Sequence, residues 1–205
     1  MTPRSFYEKL QAVQTERESD LALLLSPRLL KMPAPIARYD DPFLPFGKAI
    51  IDVTRDLVCA YLFDLASYLA LGAAGAVALE RTIAYAGADG STITILHGPF
   101  SGTGYVEAAS DRALHVDAVT LVSAEDVAAY RVEPGLAAFL MAQELNTILY
   151  DAGIYHPQEN WLRFYDRKLP PLKLRQLGEK VLYIDSTDGF AAQVRAAVSA
   201  ERAKR

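Results

Sequence analysis

Residues 41–86, with the sequence DPFLPFGKAIIDVTRDLVCAYLFDLASYLALGAAGAVALERTIAYA, decide the fold. Pro42 and Pro45 stand where a helix begins, because the first turn of a helix leaves amide positions that need no donor. The apolar run LVCAYLF at 57–63 is typical of a strand that is buried on both faces. An Ala- and Leu-rich helical pattern follows over 66–85, interrupted only by two glycines. Helix, buried strand and helix in this order predict a piece of a parallel α/β fold.

The sequence on both sides of this stretch also predicts strands and helices. Ser5 is a candidate N-cap for a helix over 5–18, and LALLL at 21–25 predicts the first buried strand. Further strands are predicted at 92–96, 116–122 and 181–184. Further helices are predicted at 105–113, at 133–149 with Pro134 at its start, and at 188–205 with Asp188 as its cap.

The composition is that of an ordinary globular domain, and we predict a single domain over 1–205. Apolar residues make up 51% of the chain, and the net charge of −4 argues against a nucleic-acid partner. No apolar run reaches the roughly 18 residues of a membrane span, and the first twenty residues are too charged for a signal peptide. The lone Cys59, expected to be buried, allows no disulfide within the chain. We therefore expect a cytoplasmic protein without a membrane or nucleic-acid partner.

Several of these segments resemble the bacterial type 2 orotidine 5′-phosphate decarboxylases. That family has runs close to FNRAIIDATADLVCAYKPNLAFYEALG and LKRTIAYIP, where this chain has FGKAIIDVTRDLVCAYLFDLASYLALG and LERTIAYAG. Similar stretches lie at 19–33 (SDLALLLSPRLLKMP), 116–122 (VDAVTLV) and 181–205. The resemblance implies a TIM-barrel-like α/β fold, a lyase of pyrimidine biosynthesis, and a homodimer formed through the open end of the barrel.

The polar groups that carry the family's chemistry are replaced in this chain. The family uses a DAKRGD array with a further Asp from the partner subunit: a carboxylate disfavours the bound substrate carboxylate, and a lysine stabilises and protonates the carbanion. Here the third strand leads into HGPFSGTG, and positions 49–167 contain no lysine. Leu62 stands at the family's lysine after CAY, Asp64 at its asparagine, and Ser26 at the aspartate that ends the first strand.

His97 and Asp64 are the catalytic candidates that remain. An imidazole has a pKa suited to proton transfer, but His97 lacks flanking acids in the sequence, and the alternative is a partly exposed histidine in a Gly-rich loop. We assign no metal ligand and no cofactor.

The candidate ligand-binding residues are Ser26, Ser101, Gly102, Thr103 and Lys180. The GPFSGTG segment can form a nest of backbone amides for a phosphate, with an ordinary turn as the alternative. The resemblance places either Glu179 or Lys180 at the family's phosphate-binding arginine. Lys180 would hold a phosphate, and Glu179 would repel it. A nucleotide or phosphate ligand is therefore a possible partner of this chain.

The second half of the chain is short for a TIM barrel, which seldom has fewer than about 200 residues. We infer that one or two βα units there are lost or remodelled, which would leave strand edges to be covered. The segment 151–177 resembles no family segment and combines basic with aromatic side chains. We expect a solvated face with Trp161, Phe164 and Tyr165 as anchors in the core, or else a surface for a ligand or partner.

Three functions follow from this sequence. The first is a decarboxylase-like protein that has lost the reaction and acts in binding, regulation or structure. The second is an enzyme of different chemistry in the same cleft, and the third is a genuine decarboxylase with displaced catalytic groups. A cleft filled by Leu62, Phe63, Phe100 and Trp161 would favour the first, a convergent His97–Asp64 pair the second, and a lysine from 168–180 the third.

Overall fold

The computed structural model describes residues 5–123, 127, 130, 135–141 and 148–204. Eight strands close into a barrel in the order of the chain, so the predicted TIM-barrel-like α/β fold is confirmed. The strands are β1 Leu21–Leu25, β2 Ala60–Asp64, β3 Ile93–His97, β4 Ala118–Leu121, β5 Ala137–Met141, β6 Ala152–His156, β7 Trp161–Tyr165 and β8 Leu172–Leu177. The described helices are α1 Phe6–Arg17, α2 Phe43–Thr54, α3 Leu65–Leu69, α4 Gly72–Gly87, α5 Thr103–Ala109, α6 Glu179–Leu182 and α7 Phe190–Arg202, with a 3-10 turn at Leu29–Lys31.

The barrel is mixed, and the reversed strand is β7. It pairs antiparallel with β6 and with β8, whereas every other pair, including the closing pair of β8 with β1, is parallel. Antiparallel neighbours can be joined by a short turn, but parallel neighbours need a crossover of a dozen or more residues. A chain with a short second half can therefore still complete eight strands.

The expected remodelling of the second half is confirmed, but the expected open strand edges are wrong. No strand is lost, because the barrel is closed. In the described part of the chain, β6, β7 and β8 are joined by turns instead of helices. Between β6 and β8, the described chain therefore has turns in place of crossover helices. Its strands stay hydrogen-bonded to one another and leave no free edge.

The buried residues form two layers, separated by the alternation of side chains along each strand. Tyr61 and Phe63 of β2 belong to a cluster that also contains the apolar faces of α2, α4 and α7. Ala60 and Leu62 of the same strand belong to a second cluster, which fills the barrel interior. The inward and outward faces of each strand therefore determine which residues can reach the centre of the barrel.

Helix α1 closes the bottom of the barrel, as the resemblance implies. Tyr7, Leu10 and Val13 pack into the interior cluster, and Ser5 caps the helix in a capping box with Glu8. Above the bottom, the predicted helix over 66–85 is broken into α3 and α4, because Gly72 has a positive φ of 60°. A side chain at Gly75 would collide with the backbone carbonyl of Tyr68, so glycine permits the close packing of these two helices.

Several predicted elements are wrong. The predicted helix 133–149 contains β5 instead, the predicted strand 181–184 overlaps α6, and Gly189, not Asp188, caps α7 without a side-chain hydrogen bond. Helix α5 ends before residue 113. Residues 133, 134 and 142–147 of the first prediction lie outside the described residues. Short apolar runs in strands and in helices have similar compositions. Here residues 137–141 form a strand, because the closed barrel requires one between β4 and β6.

The basic and aromatic segment 151–177 forms β6, β7 and β8, three consecutive strands of the barrel. Of the three predicted anchors, Phe164 is buried in the interior, whereas Trp161 and Tyr165 are half-buried. Leu162 is the second anchor of β7, which the sequence analysis missed. The basic side chains of this segment are exposed or half-buried, as expected of a solvated face.

Candidate active site at the barrel mouth

The carboxyl ends of the parallel strands form what we call the barrel mouth, where active sites of TIM barrels are found. Asp64 is the last residue of β2 and pairs in register with His97, the last residue of β3. Ser26 directly follows β1. The fold therefore brings three of the predicted site residues to neighbouring positions, because parallel strands end at the same edge.

His97 is enclosed by polar and aromatic neighbours at the mouth. Its Nδ1 lies 3.1 Å from Thr120 Oγ1, and its ring meets the ring of Tyr155 edge-to-face at 5.2 Å between centroids. Burial lowers the pKa of the imidazole, and the nearby charge of Asp64 opposes that shift. At neutral pH the imidazole is therefore uncharged, and His97 is the half-buried last residue of β3, at the strand end where the alternative prediction placed it.

The Asp64 carboxylate is engaged by the helix that follows it. Oδ1 accepts a hydrogen bond from the Ser67 backbone amide at 3.3 Å, and Oδ2 accepts one from the Ser67 hydroxyl at 2.5 Å. Asp64 is thereby the N-cap of α3. Among the hydrogen bonds of the described residues, none joins Asp64 to His97. The two predicted catalytic residues thus lie at the same site, but each forms hydrogen bonds with a different partner.

Two buried polar atoms at the mouth have no hydrogen-bond partner. These are Ser26 Oγ and Gln176 Oε1, in residues that are 1% and 8% exposed. Gln176 faces the barrel mouth from β8, beside Tyr155 of β6, whose pKa is raised by burial and lowered slightly by the Gln176 side chain. Unpartnered buried polar atoms are costly unless a ligand or water satisfies them. Gln176, Tyr155 and Thr120 were not identified from the sequence: Gln176 and Tyr155 lie in the segment 151–177, which resembles no family segment, and Thr120 lies inside the predicted fourth strand.

Leu62 takes the place that the resemblance gives to the family's lysine. It is fully buried and belongs to the interior cluster, where it pairs in register with Leu24 and Ile95. The other proposed cleft-filling residues do not join it. Phe63 and Phe100 belong to the outer layer, and Trp161 lies on the outward face of β7. The cleft is therefore not filled by these four side chains, and the condition that would favour a protein that has lost the reaction is not met.

A cleft of about 610 Å³ opens at the rim of the mouth, between the loop after β1 and helix α3. We call it the rim cleft. Its floor and walls carry apolar side chains, and its charged residues are Arg28, Lys31, Asp64 and Glu179. Its apolar lining consists of Pro27, Leu29, Leu30, Phe43, Ala66, Ala70 and Leu71.

Glu179 is held between two cations at one end of the rim cleft. Its Oε1 lies 2.8 Å from Arg28 Nε, and its Oε2 lies 3.0 Å from Lys31 Nζ. The hydrogen bond from Lys31, followed by that from Arg28, lowers the pKa of the Glu179 carboxyl. The same contact with Glu179 raises the pKa of Arg28. Arg28 and Lys31 were not identified as site residues, although their position directly after a strand's carboxyl end was a signal for it.

The remaining predicted ligand-binding residues lie apart from the rim cleft. Ser101 and Thr103 are exposed in the loop before α5, with Gly102 between them at a φ of 90°. Lys180 is exposed and lines a second, smaller depression beside Tyr183. Lys168 and Lys173 are exposed, and the Lys173 ammonium lies 5.8 Å from the centre of the Trp161 ring. Among the described lysines of 168–180, none lines the rim cleft, although the depression lined by Lys180 shares Lys31 and Glu179 with it.

The described residues contain no group of three or more His, Cys, Asp or Glu side chains that would hold a metal ion. None of their helices is both long and apolar enough to cross a membrane.

The sequence is similar to curated orotidine 5′-phosphate decarboxylases. It is 40% identical over 122 residues to the protein of Herpetosiphon aurantiacus, covering 57% of this chain and 44% of that protein. It is 44% identical over 78 residues to the protein of Thermomicrobium roseum, covering 38% of this chain and 28% of that protein. The matches thus span less than half the length of these relatives. No family model matches the chain.

Solved structures share the fold. A structure from Toxoplasma gondii, provisionally assigned as an orotidine-monophosphate decarboxylase, matches with a TM-score of 0.59 and 24% identity, covering 70% of this chain and 50% of that one. The Leishmania donovani OMP decarboxylase matches with a TM-score of 0.56 and 22% identity, covering 67% of this chain and 53% of that one. The sequence matches confirm the predicted relationship of this chain to the orotidine 5′-phosphate decarboxylase family.

Proposed function

We propose that this protein is a decarboxylase-like barrel that does not decarboxylate orotidine 5′-phosphate and that acts by binding a ligand or partner. The observation that carries this proposal is Leu62, which is fully buried in an apolar barrel interior where the resemblance implies a lysine. The resemblance gives the carbanion-stabilising cation to the lysine of the DAKRGD array, where this chain has the lysine-free HGPFSGTG, and Leu62 replaces a second family lysine by an alkyl side chain that supplies no charge.

The lysine that lines the rim cleft does not supply the missing charge. Lys31 lies on the rim, its side chain is 55% exposed, and its ammonium is paired with Glu179. An ammonium in water and in an ion pair provides little of the electrostatic stabilisation that a dry, preorganised site provides. The His97 imidazole is neutral at pH 7 and contributes no charge.

A second candidate is an enzyme of different chemistry at the same mouth. The unpartnered oxygens of Ser26 and Gln176, beside the neutral imidazole of His97, favour it, because they would bind a small polar substrate. The third candidate, a genuine decarboxylase with displaced catalytic groups, draws its support from the names of the curated relatives.

Decarboxylation is tested by spectrophotometric turnover of orotidine 5′-phosphate, with the Herpetosiphon aurantiacus relative as the positive control. We expect no turnover above that of a heat-denatured sample. Measurable turnover would refute the proposal, and a Lys31→Ala variant would then show whether the rim lysine is the displaced group.

Ligand binding is tested separately by calorimetry with uridine 5′-phosphate. Binding without turnover would identify a nucleotide-binding protein, and no binding at millimolar ligand would favour a protein partner of the 151–177 face. A cytoplasmic location and a homodimer stay predictions, and gel filtration with light scattering tests the dimer.

A further inference from the structure

The rim cleft already binds a carboxylate, that of Glu179. Each oxygen of Glu179 has its own cation, Arg28 Nε at 2.8 Å and Lys31 Nζ at 3.0 Å. Two separate donors that meet the two oxygens of one group form a receptor for an oxyanion. In this chain an internal side chain fills that receptor.

The loop that carries the two cations is anchored. The Arg28 backbone amide donates to Tyr183 Oη at 2.8 Å, and that hydroxyl donates to the Ser26 carbonyl at 2.8 Å. The Tyr183 ring stacks on Phe46, with 5.5 Å between centroids and 4° between planes. Arg28 is therefore positioned by the fold as well as by its partner, which lowers the ordering cost of binding a ligand there.

The occupying carboxylate is replaceable. The Glu179 side chain is 32% exposed, and those of Arg28 and Lys31 are 51% and 55% exposed. Ion pairs with this exposure contribute little to stability. Glu179 belongs to the four-residue helix α6, and Gly178, which precedes it, has open space around its Cα. An incoming oxyanion can thus displace Glu179 without disturbing the barrel.

The rest of the cleft is shaped for an apolar body. Leu29 is 55% exposed and Leu30 is fully exposed beside the cations. Phe43 and Leu71 line the same cleft. We propose that the rim cleft binds a small organic oxyanion with an apolar body, held by Arg28 and Lys31, and that Glu179 competes with it. This inference rests on the ligand-binding part of the proposed function, for which it names the ligand class, and not on the absence of decarboxylation.

The test is calorimetric titration of the full chain with phenyl phosphate at fixed ionic strength. Glu179→Gln removes the competing charge and is expected to raise the affinity about tenfold or more, since a like charge beside a bound anion opposes binding. Glu80→Gln, on the exposed face of α4, makes the same change in net charge and is expected to leave the affinity unchanged. Thermal unfolding of each variant establishes that it is folded.

The cations and the apolar wall are tested in the Glu179→Gln background. Arg28→Ala and Lys31→Ala are each expected to lower the affinity for phenyl phosphate by about tenfold or more. Equal affinities of Glu179→Gln and Glu80→Gln, or no loss in either alanine variant, would overturn the site. Inorganic phosphate that binds as tightly as phenyl phosphate would overturn the apolar half. Failure here is distinct from failure of the proposed function, which is read from turnover.

Discussion

Leu62→Lys places in the barrel the residue that the family resemblance implies, and we expect it to destabilise the protein severely. The Leu62 side chain is fully buried among apolar residues, with Leu24 and Ile95 on the flanking strands. A lysine there must either bury an unpaired ammonium or lose its proton. Since its ordinary pKa is about 10.4, neutralising it at pH 7 costs about 4.6 kcal/mol, which sets the upper limit of the penalty.

Asp64 is the one acid on the same face of β2 near this position. It lies two residues further along the strand, about 6.6 Å away at the rise of an extended chain, and its carboxylate already accepts two hydrogen bonds from Ser67. We therefore expect Leu62→Lys to lower the free energy of unfolding by about 3–4.6 kcal/mol at pH 7. Leu62→Met, which nearly conserves volume, should cost less than about 1.5 kcal/mol.

The assay is urea denaturation of both variants between pH 7 and pH 9, followed by circular dichroism. A lysine with a lowered pKa in the folded state makes stability rise with pH, so the difference between the variants should narrow by up to about 1.4 kcal/mol per pH unit. Equal stability of the two variants, with no dependence on pH, would show that the interior accommodates the ammonium. That result would refute the argument that Leu62 excludes the family's chemistry.

Three further predictions concern the barrel and its mouth. Because burial lowers the His97 pKa, stability is expected to fall as the pH drops below about 6.5, by at most about 1.4 kcal/mol per unit, and urea denaturation of His97→Gln should lack that fall; an identical slope in both proteins would contradict it. Gly153→Ala places a methyl group against the buried Phe139 ring and should cost about 1–3 kcal/mol in the same measurement, whereas an unchanged midpoint would mean that the ring moves aside. Asp117→Ala removes the acceptor of the Thr94 amide at 2.9 Å and should lower the free energy of unfolding by about 1–3 kcal/mol, which a loss below about 0.5 kcal/mol would contradict.

The first half of the fold could be predicted from the sequence because its signals are local. The predicted strand at Leu21–Leu25 has the same bounds in the structure, since its five consecutive apolar residues are buried except for the half-buried Leu24. Ser5 caps α1 as its position before the helical pattern indicates. Pro42 precedes α2 as its N-cap residue. Each of these depends on neighbours within a few residues.

The candidate site was predicted only in part. Asp64 and Ser26 were found because the resemblance aligns them with polar residues of the family, and His97 because it is the titratable residue of the HGPFSGTG segment; the three come together because parallel strands end at one edge. Tyr155 and Gln176 were missed, because β6 and β8 belong to a segment whose alternation was not recognised as strands. Glu179 was expected to repel a phosphate. Its pairing with the cations of the loop after β1 could not be predicted, because that contact forms only when β8 closes the barrel against β1.

The sequence by itself determined the family relationship, the α/β class and the presence of Leu62 where the family has the lysine after CAY, because these lie in continuous stretches of residues. Only the tertiary structure decided that the barrel closes, since closure depends on β8 pairing with β1 across 150 or so residues of chain. It also decided that β7 runs antiparallel, and that Glu179 meets Arg28 and Lys31 at one end of a cleft. Contacts between residues far apart in the chain depend on the register of the whole barrel, and no local pattern specifies that register.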